Sequence, residues 1–133
     1  MTWNQPSRPV RSFPGRALVG IRLALGTTAW VAPRFTLVMF GLDPKRNPEA
    51  AYATRLFGVR NATLGVGLLA SEGGDRRLWW KVGIVCDAAD IVAALVGART
   101  RRIPGDVRSV AILSGAGLVA IGLGVAALAE DDV

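Results

Sequence analysis

The sequence predicts an all-α protein: a four-transmembrane-helix bundle with a short interfacial helix between helices 1 and 2. Three observations support this fold class. Long apolar stretches alternate with short turns rich in proline and glycine, basic residues cluster between the stretches, and aromatic residues fall near the expected helix ends. A membrane-spanning helix needs roughly 20 mostly apolar residues. The chain of 133 residues is long enough to supply four.

The predicted spans belong to one membrane domain over residues 15–129. The most distinctive pattern is Val110–Ala129, which contains no charged residue and is apolar on every face. A surface helix of a soluble bundle would instead have a polar side. The sequence therefore predicts four spans, at about 16–32, 50–70, 78–98 and 110–129.

Proline marks the end of the first span and sets the limits of the N-terminal tail. Pro33 ends or kinks helix 1 because proline lacks the amide donor and clashes with the preceding turn. The apolar piece Phe35–Leu42 is then predicted to be an interfacial helix, with a continuation of helix 1 beyond a proline kink as the alternative. We expect residues 1–14 to form an irregular tail and residues 130–133 an acidic one.

The aromatic residues fit this arrangement of spans. Trp30 and Tyr52 fall where helix 1 ends and helix 2 begins, whereas Trp79 and Trp80 open helix 3 at the opposite membrane face. Trp and Tyr concentrate at the level of the lipid headgroups because their rings are amphipathic. Small residues such as Gly58 also recur at four-residue spacing, a pattern typical of close contacts between membrane helices.

Composition excludes several classes of site. The chain has 16 Lys+Arg, 10 Asp+Glu, one Cys and no His, which gives a net charge of +6 and a pI near 11.0. It therefore cannot form an internal disulfide, a thiolate zinc site or a relay based on histidine. No nucleophile is placed beside a base, so we expect no enzyme, no catalytic residue, no cofactor and no metal.

The basic residues lie mainly between apolar stretches, where they would meet the anionic headgroups of a lipid bilayer. We therefore expect a bilayer partner and no nucleic acid. The first apolar stretch contains Arg22 and lacks a typical cleavage site, which argues against a signal peptide. The expected location is the bacterial inner (plasma) membrane, as a multi-pass protein. Both termini are assigned to the cytoplasm, since exporting an arginine-bearing tail without a signal is unusual.

Five ionisable residues fall within the predicted spans, away from the first turn of each. A charge at the bilayer centre costs about 2.5 to 3.5 kcal/mol, so such side chains usually face the bundle interior and pair with each other. One predicted turn centres near residue 75, which places Arg60 and Asp90 at equal distances from it and thus at the same depth. The five residues are Arg22, Arg55, Arg60, Asp87 and Asp90.

These positions predict a buried polar network of Arg22, Arg60, Asn61, Asp87 and Asp90. We expect Arg60 to pair first with Asp90 and Asp87, because the two aspartates share one helical face. Arg55 is left over and is a candidate contact for a lipid phosphate. The network could fix the register of the helices, or it could form a polar site for an anionic headgroup, a proton or an ion.

The order of these residues is similar to that of a known family. Arg55-Leu56-Phe57-Gly58-Val59-Arg60-Asn61 in helix 2 and Asp87-x2-Asp90 in helix 3 match the patterns R-x-F-G-x-R-[DN] and D-x-x-D. With them, the chain resembles a family of small bacterial four-helix integral membrane proteins of unknown function over residues 15–129. The resemblance implies the architecture but no activity. The positions that match the polar pattern of the family are Arg60, Asn61, Asp87 and Asp90.

Two functions are open at this point. A compact bundle without a soluble domain favours a non-enzymatic accessory or scaffold subunit of a larger envelope membrane complex, for example a lipid transporter. The alternative is a small oligomeric transporter or an anionic-lipid-binding membrane protein that uses the buried Arg/Asp cluster. The expected partner is accordingly either a larger membrane protein or further copies of the chain.

Overall fold

The computed structural model describes residues 9–100 and 107–130, which form an all-helical bundle. The predicted turn at 103–106, most of the N-terminal tail and residues 131–133 lie outside the described residues. Within these ranges the chain has five helices: α1 (Phe13–Val31), α2 (Pro33–Met39), α3 (Ala50–Ala70), α4 (Gly73–Arg99) and α5 (Val107–Glu130).

The prediction of four transmembrane spans is wrong. Among the described helices, only α5 is long and apolar enough to cross a membrane. The physical reason is charge: α1 contains Arg16 and Arg22, α3 contains Arg55 and Arg60, and α4 is charged near both ends and at its centre. The described residues therefore contain one candidate span, Val107–Glu130, which is weak evidence for association with a membrane.

The first helix begins inside the segment predicted to be irregular. The Ser12 hydroxyl accepts a hydrogen bond from the backbone N–H of Gly15 (3.2 Å), which caps the start of α1. Pro14 lies in the first turn, where its missing N–H leaves no helical bond unmade. The helix ends at Val31, because the backbone angles of Ala32 (φ −128°, ψ 63°) are not helical.

The short helix α2 is separate from α1. It begins directly after Ala32, so Pro33 stands at its first position, and it ends before Gly41. Gly41 has φ +76°, in the left-handed region that favours glycine. The Ser109 hydroxyl donates to the Gly41 carbonyl (2.7 Å), which ties the end of α2 to the start of α5.

The long helices pack as two pairs. α1 packs extensively on α3, and α4 on α5, whereas α3 and α4 touch only slightly. An apolar cluster joins the pairs where α1 begins and α5 ends, which we name the core end; the opposite end, with α2, is the cavity end. The cluster consists of Val10, Leu18, Val19, Leu68, Trp80 and Ala127.

The cluster corrects the expected position of one tryptophan. Trp80 is only 1% exposed and lies at the centre of the core end, so it is not an interfacial residue of the isolated chain. Trp79 is half-buried and packs on Gly67 of α3, where an added Cβ would come within 2.5 Å of the indole. Trp30 and Tyr52, by contrast, are exposed at the cavity end.

The contact between α1 and α3 depends on two glycines. A Cβ on Gly26 would lie 2.6 Å from the backbone nitrogen of Ala62, and one on Gly58 would lie 2.7 Å from the carbonyl oxygen of Gly26. The two backbones therefore approach directly, without intervening side chains. Small residues permit this approach between helices.

We predict that Gly26→Ala destabilises the protein, whereas Gly20→Ala does not. Both glycines lie in α1, but a Cβ on Gly20 meets nothing within 4 Å. Overpacking costs about 1 to 3 kcal/mol, while alanine in place of an exposed helical glycine gains up to about 1 kcal/mol. Thermal unfolding in mild detergent measures the difference. Equal melting temperatures for the two variants would contradict the close contact.

Candidate functional site

A buried ion pair connects the two helix pairs near the middle of the bundle. Arg22 of α1 is 2% exposed and Asp87 of α4 is 5% exposed. The Arg22 Nη2 donates to Asp87 Oδ2 at 2.6 Å, and Nη1 donates to Asp87 Oδ1 at 3.3 Å. This fork of two parallel hydrogen bonds is the strongest geometry available to an arginine and a carboxylate.

Two further residues fix the position of the Arg22 guanidinium. Its Nη1 also donates to Asn61 Oδ1 (3.0 Å), and the Asn61 amide nitrogen in turn donates to the Phe57 carbonyl (3.1 Å). On α4, a Cβ at Gly83 would lie 2.8 Å from Arg22 Nη2. Gly83 therefore leaves the space that the guanidinium occupies.

A second ion pair joins α3 to α4 at the edge of the bundle. Arg60 donates from both terminal nitrogens to the two oxygens of Asp90, with Nη1 to Oδ1 at 2.7 Å. The two side chains are 33% and 36% exposed, so this pair is far less buried than the first. The Arg60 Cζ also lies 5.1 Å from the centre of the Phe57 ring, within the range of a cation–π contact.

The structure brings together the five residues of the predicted network but changes one partner. The predicted pair of Arg60 with Asp90 is present. The predicted pairing of Arg60 with Asp87 is wrong, because the ion pair of Asp87 is with Arg22 on α1. The turn between α3 and α4 lies at Ser71 and Glu72 rather than near 75. Both terminal nitrogens of Arg60 are engaged by Asp90, and Asp87 is engaged by Arg22.

Arg55 lies outside this network. Its Nε donates to the Trp30 carbonyl at 3.3 Å, and the side chain is exposed near the cavity end. The network itself holds two arginines and two aspartates, so its charges balance. The contact of Arg55 with a lipid phosphate stays a prediction, and it concerns the surface rather than the interior.

Arg76 also departs from the sequence pattern. The sequence groups it with Arg77 and Lys81 in a basic cluster, yet Arg76 is 6% exposed. Its Nε donates to the Leu68 carbonyl at 3.2 Å, close to the turn between α3 and α4. Arg76 therefore helps to hold this turn rather than facing a headgroup.

A cavity of about 330 Å³ lies between the helix pairs, beside the network and toward the cavity end. Arg22, Asn61, Asp87 and Asp90 form its polar side. Its other walls are apolar and come from all four long helices and from the segment after α2. They are formed by Leu18, Ile21, Leu25, Phe40, Phe57, Ala93, Ala94, Leu113, Ala116, Gly117 and Ala120.

The segment after α2 covers the cavity at its end. The Phe40 ring packs edge-to-face on the Phe57 ring, with centroids 6.0 Å apart. The hydrogen bond between Ser109 and the Gly41 carbonyl holds this segment against α5. The cavity nevertheless reaches the exterior elsewhere, because the lining residues Ile21, Ala93 and Ala116 are exposed.

Sequence reasoning missed the cavity and two residues that shape the site, Gly83 and Ser109. Nothing in the sequence distinguishes Gly83, beside the Arg22 guanidinium, from the other glycines among the 16. Ser109 lies 68 residues from Gly41, its hydrogen-bond partner. Only the tertiary fold reveals these roles. Comparison with family models, curated proteins and solved structures finds no match to the chain.

We predict that Asp87→Asn destabilises the protein more than Asp90→Asn does. Removing one partner of a buried ion pair costs about 3 to 5 kcal/mol because the remaining charge is left uncompensated. Exposed pairs contribute only about 0 to 1 kcal/mol, and the Arg60–Asp90 pair lies nearer this limit. Denaturant unfolding in mild detergent gives both free energies. Equal losses would mean that burial does not separate the two pairs.

A charge swap tests the second pair directly. Arg60→Asp and Asp90→Arg should each lower accumulation of the protein, because each places two like charges together, and the double variant should restore it. The matched control combines Asp90→Arg with Arg55→Asp, which lies on the same helix but outside the network and should restore nothing. Quantitative immunoblotting of membrane fractions measures accumulation. If the Arg60→Asp/Asp90→Arg variant did not accumulate better than either single variant, the pairing would be refuted.

Proposed function

We propose that this chain is a small non-enzymatic membrane protein that serves as an accessory or scaffold subunit of a larger envelope membrane complex. A lipid transporter is one candidate host. The observation that carries the proposal is the apolar outer surface of helices that are not themselves candidate membrane spans. Large exposed apolar areas rimmed by polar residues are typical of protein or membrane contacts.

The outer face of α3 is such an apolar surface. Leu56, Val59 and Val66 are 54%, 47% and 55% exposed, although α3 is too charged to be a candidate span. Similar exposed side chains occur along α4, where they include Val85, Val92 and Leu95. Apolar helices of a partner protein would cover these faces and remove the side chains from water.

The proposed location is the inner membrane of a bacterium, with α5 in contact with the bilayer. α5 leaves Leu118, Val119 and Val125 exposed, in keeping with a surface that meets lipid. Exposed Trp30 and Tyr52 at the cavity end support a headgroup level there. Since α1 begins and α5 ends at the core end, we assign both termini to one side, the cytoplasm. Membership of the resembled family is part of this proposal.

A second candidate function is favoured by the cavity. A small oligomeric transporter or a lipid-binding membrane protein would need an interior space with a few convergent polar groups, and ligand sites commonly have this form. The cavity beside Arg22 and Asp87 supports such a role. An anionic headgroup would in this case meet the exposed Arg55 at the surface, whereas the interior charges already balance.

The subunit proposal predicts a stoichiometric partner. We expect gentle detergent extraction of the tagged protein, followed by native mass spectrometry, to yield a complex with a larger membrane protein. The paired variant Leu56→Gln with Val59→Gln should lower recovery of this partner at least tenfold, because it places amides in the apolar contact. Lys45→Gln, in an exposed turn, is the control and should leave recovery unchanged.

The second candidate function predicts a different result from the same extraction. Recovery of the chain only as a homo-oligomer with bound lipid would refute the subunit role and support the second candidate. A monomer that stays soluble without detergent would refute both.

A further inference from the structure

We infer that the cavity is a binding site for one hydrocarbon chain of an uncharged amphiphile, whose hydroxyl or carbonyl oxygen accepts a hydrogen bond from Arg22. This inference deepens the second proposed function, lipid binding, by naming the site and the chemical class of its ligand. It is independent of the subunit role.

The apolar lining of the cavity favours a hydrocarbon chain as its ligand. Apart from its polar side, the cavity is lined by Leu, Ile, Phe, Ala and Gly residues, including Leu25, Phe57 and Leu113. An apolar cavity offers water few hydrogen-bond partners, so such cavities tend to accept apolar ligands. A volume of about 330 Å³ lies near the lower end of the range for ligand sites, roughly 300 to 1,000 Å³. It therefore suits one chain rather than the two of a phospholipid.

The polar side contains an unused donor. The Nε of Arg22 is buried and has no hydrogen-bond partner among the described residues, although both terminal nitrogens are engaged. Arg22 lines the cavity and is 2% exposed. A buried N–H without a partner is unfavourable, and an oxygen from a ligand in the cavity would satisfy it after a small rotation of the guanidinium toward that space.

The charge balance excludes an ionic head. Asp87 already neutralises Arg22, and Asp90 neutralises Arg60. A carboxylate or an ammonium entering beside them would add a charge without a counter-ion in largely apolar surroundings, which is costly. A hydroxyl or an ester carbonyl accepts the hydrogen bond without this penalty.

Access is lateral. Ile21 on α1, Ala93 on α4 and Ala116 on α5 line the cavity and are exposed, whereas Phe40 and the Ser109–Gly41 hydrogen bond cover the cavity end. A chain can therefore enter from an apolar medium beside the helices. The lining at Ala116 has only a methyl group, so a larger side chain there would fill the space that the ligand needs.

The test is equilibrium binding of radiolabelled monolaurin to the purified full chain held in amphipol, with laurate and dodecylamine as competitors. We expect saturable binding of one monolaurin per chain, with laurate and dodecylamine at least tenfold weaker. Ala116→Phe should weaken binding at least tenfold. Ala111→Phe is the control, since Ala111 is exposed on the same helix but does not line the cavity, and it should change binding less than twofold.

Each other outcome overturns the inference. Absence of saturable monolaurin binding to the wild-type chain would remove the site, and equal binding by the two phenylalanine variants would place the ligand elsewhere. Competition by laurate as strong as by monolaurin would overturn the uncharged class and support an anionic ligand. If Ala116→Phe does not fold, as judged by circular dichroism, Ala93→Phe with Ala88→Phe as control repeats the test on α4. Partner recovery after extraction reports on the subunit role separately.

Discussion

The Arg22–Asp87 ion pair is the constraint on which the rest of the arrangement depends. It joins α1 of one helix pair to α4 of the other at a point where both side chains are excluded from solvent. Taking these charges out of water is unfavourable, and the cost is offset only when geometry and hydrogen bonding are nearly complete. Asn61 supplies the third contact, and Gly83 supplies the room. The helices α1, α3 and α4 are therefore held in one register.

The same ion pair explains why an interior space exists. At the core end, side chains as large as Trp80 fill the gap between the helix pairs. Beyond the ion pair the lining residues of α4 and α5 are mostly alanine and glycine, so these two helices supply no aromatic side chain to fill the space. The two ion pairs and the Ser109–Gly41 hydrogen bond hold the helices around this space. The cavity is thus a consequence of polar contacts that fix the spacing while the small residues leave it unfilled.

Sequence reasoning predicted much of the polar site but less of its context. The residues of the network and the Arg60–Asp90 pair followed from the rule that charges within apolar helices seek partners. The partner of Asp87 could not be derived, because depth along the hairpin of α3 and α4 says nothing about α1. Arg22 on α1 is separated from Asp87 by 65 residues. The number of spans failed for a related reason. An apolar stretch with two arginines looks long enough to cross a bilayer, yet the charges that build the network remove α1 and α3 from the candidate spans.

The distribution of polarity links these findings to function. In most soluble proteins charged residues lie outside and apolar residues inside, whereas here an ion network occupies the centre and Leu56, Val85 and Leu118 face outward. Exposed apolar areas of this kind are typical of surfaces that lipid or another protein covers. Because α1 and α4 both pack on α5, a bilayer or a partner that covered α5 would also lie beside their apolar side chains. The outer surface is therefore the feature that supports the proposed association with a membrane or a complex, and the cavity is the feature that supports the proposed ligand site.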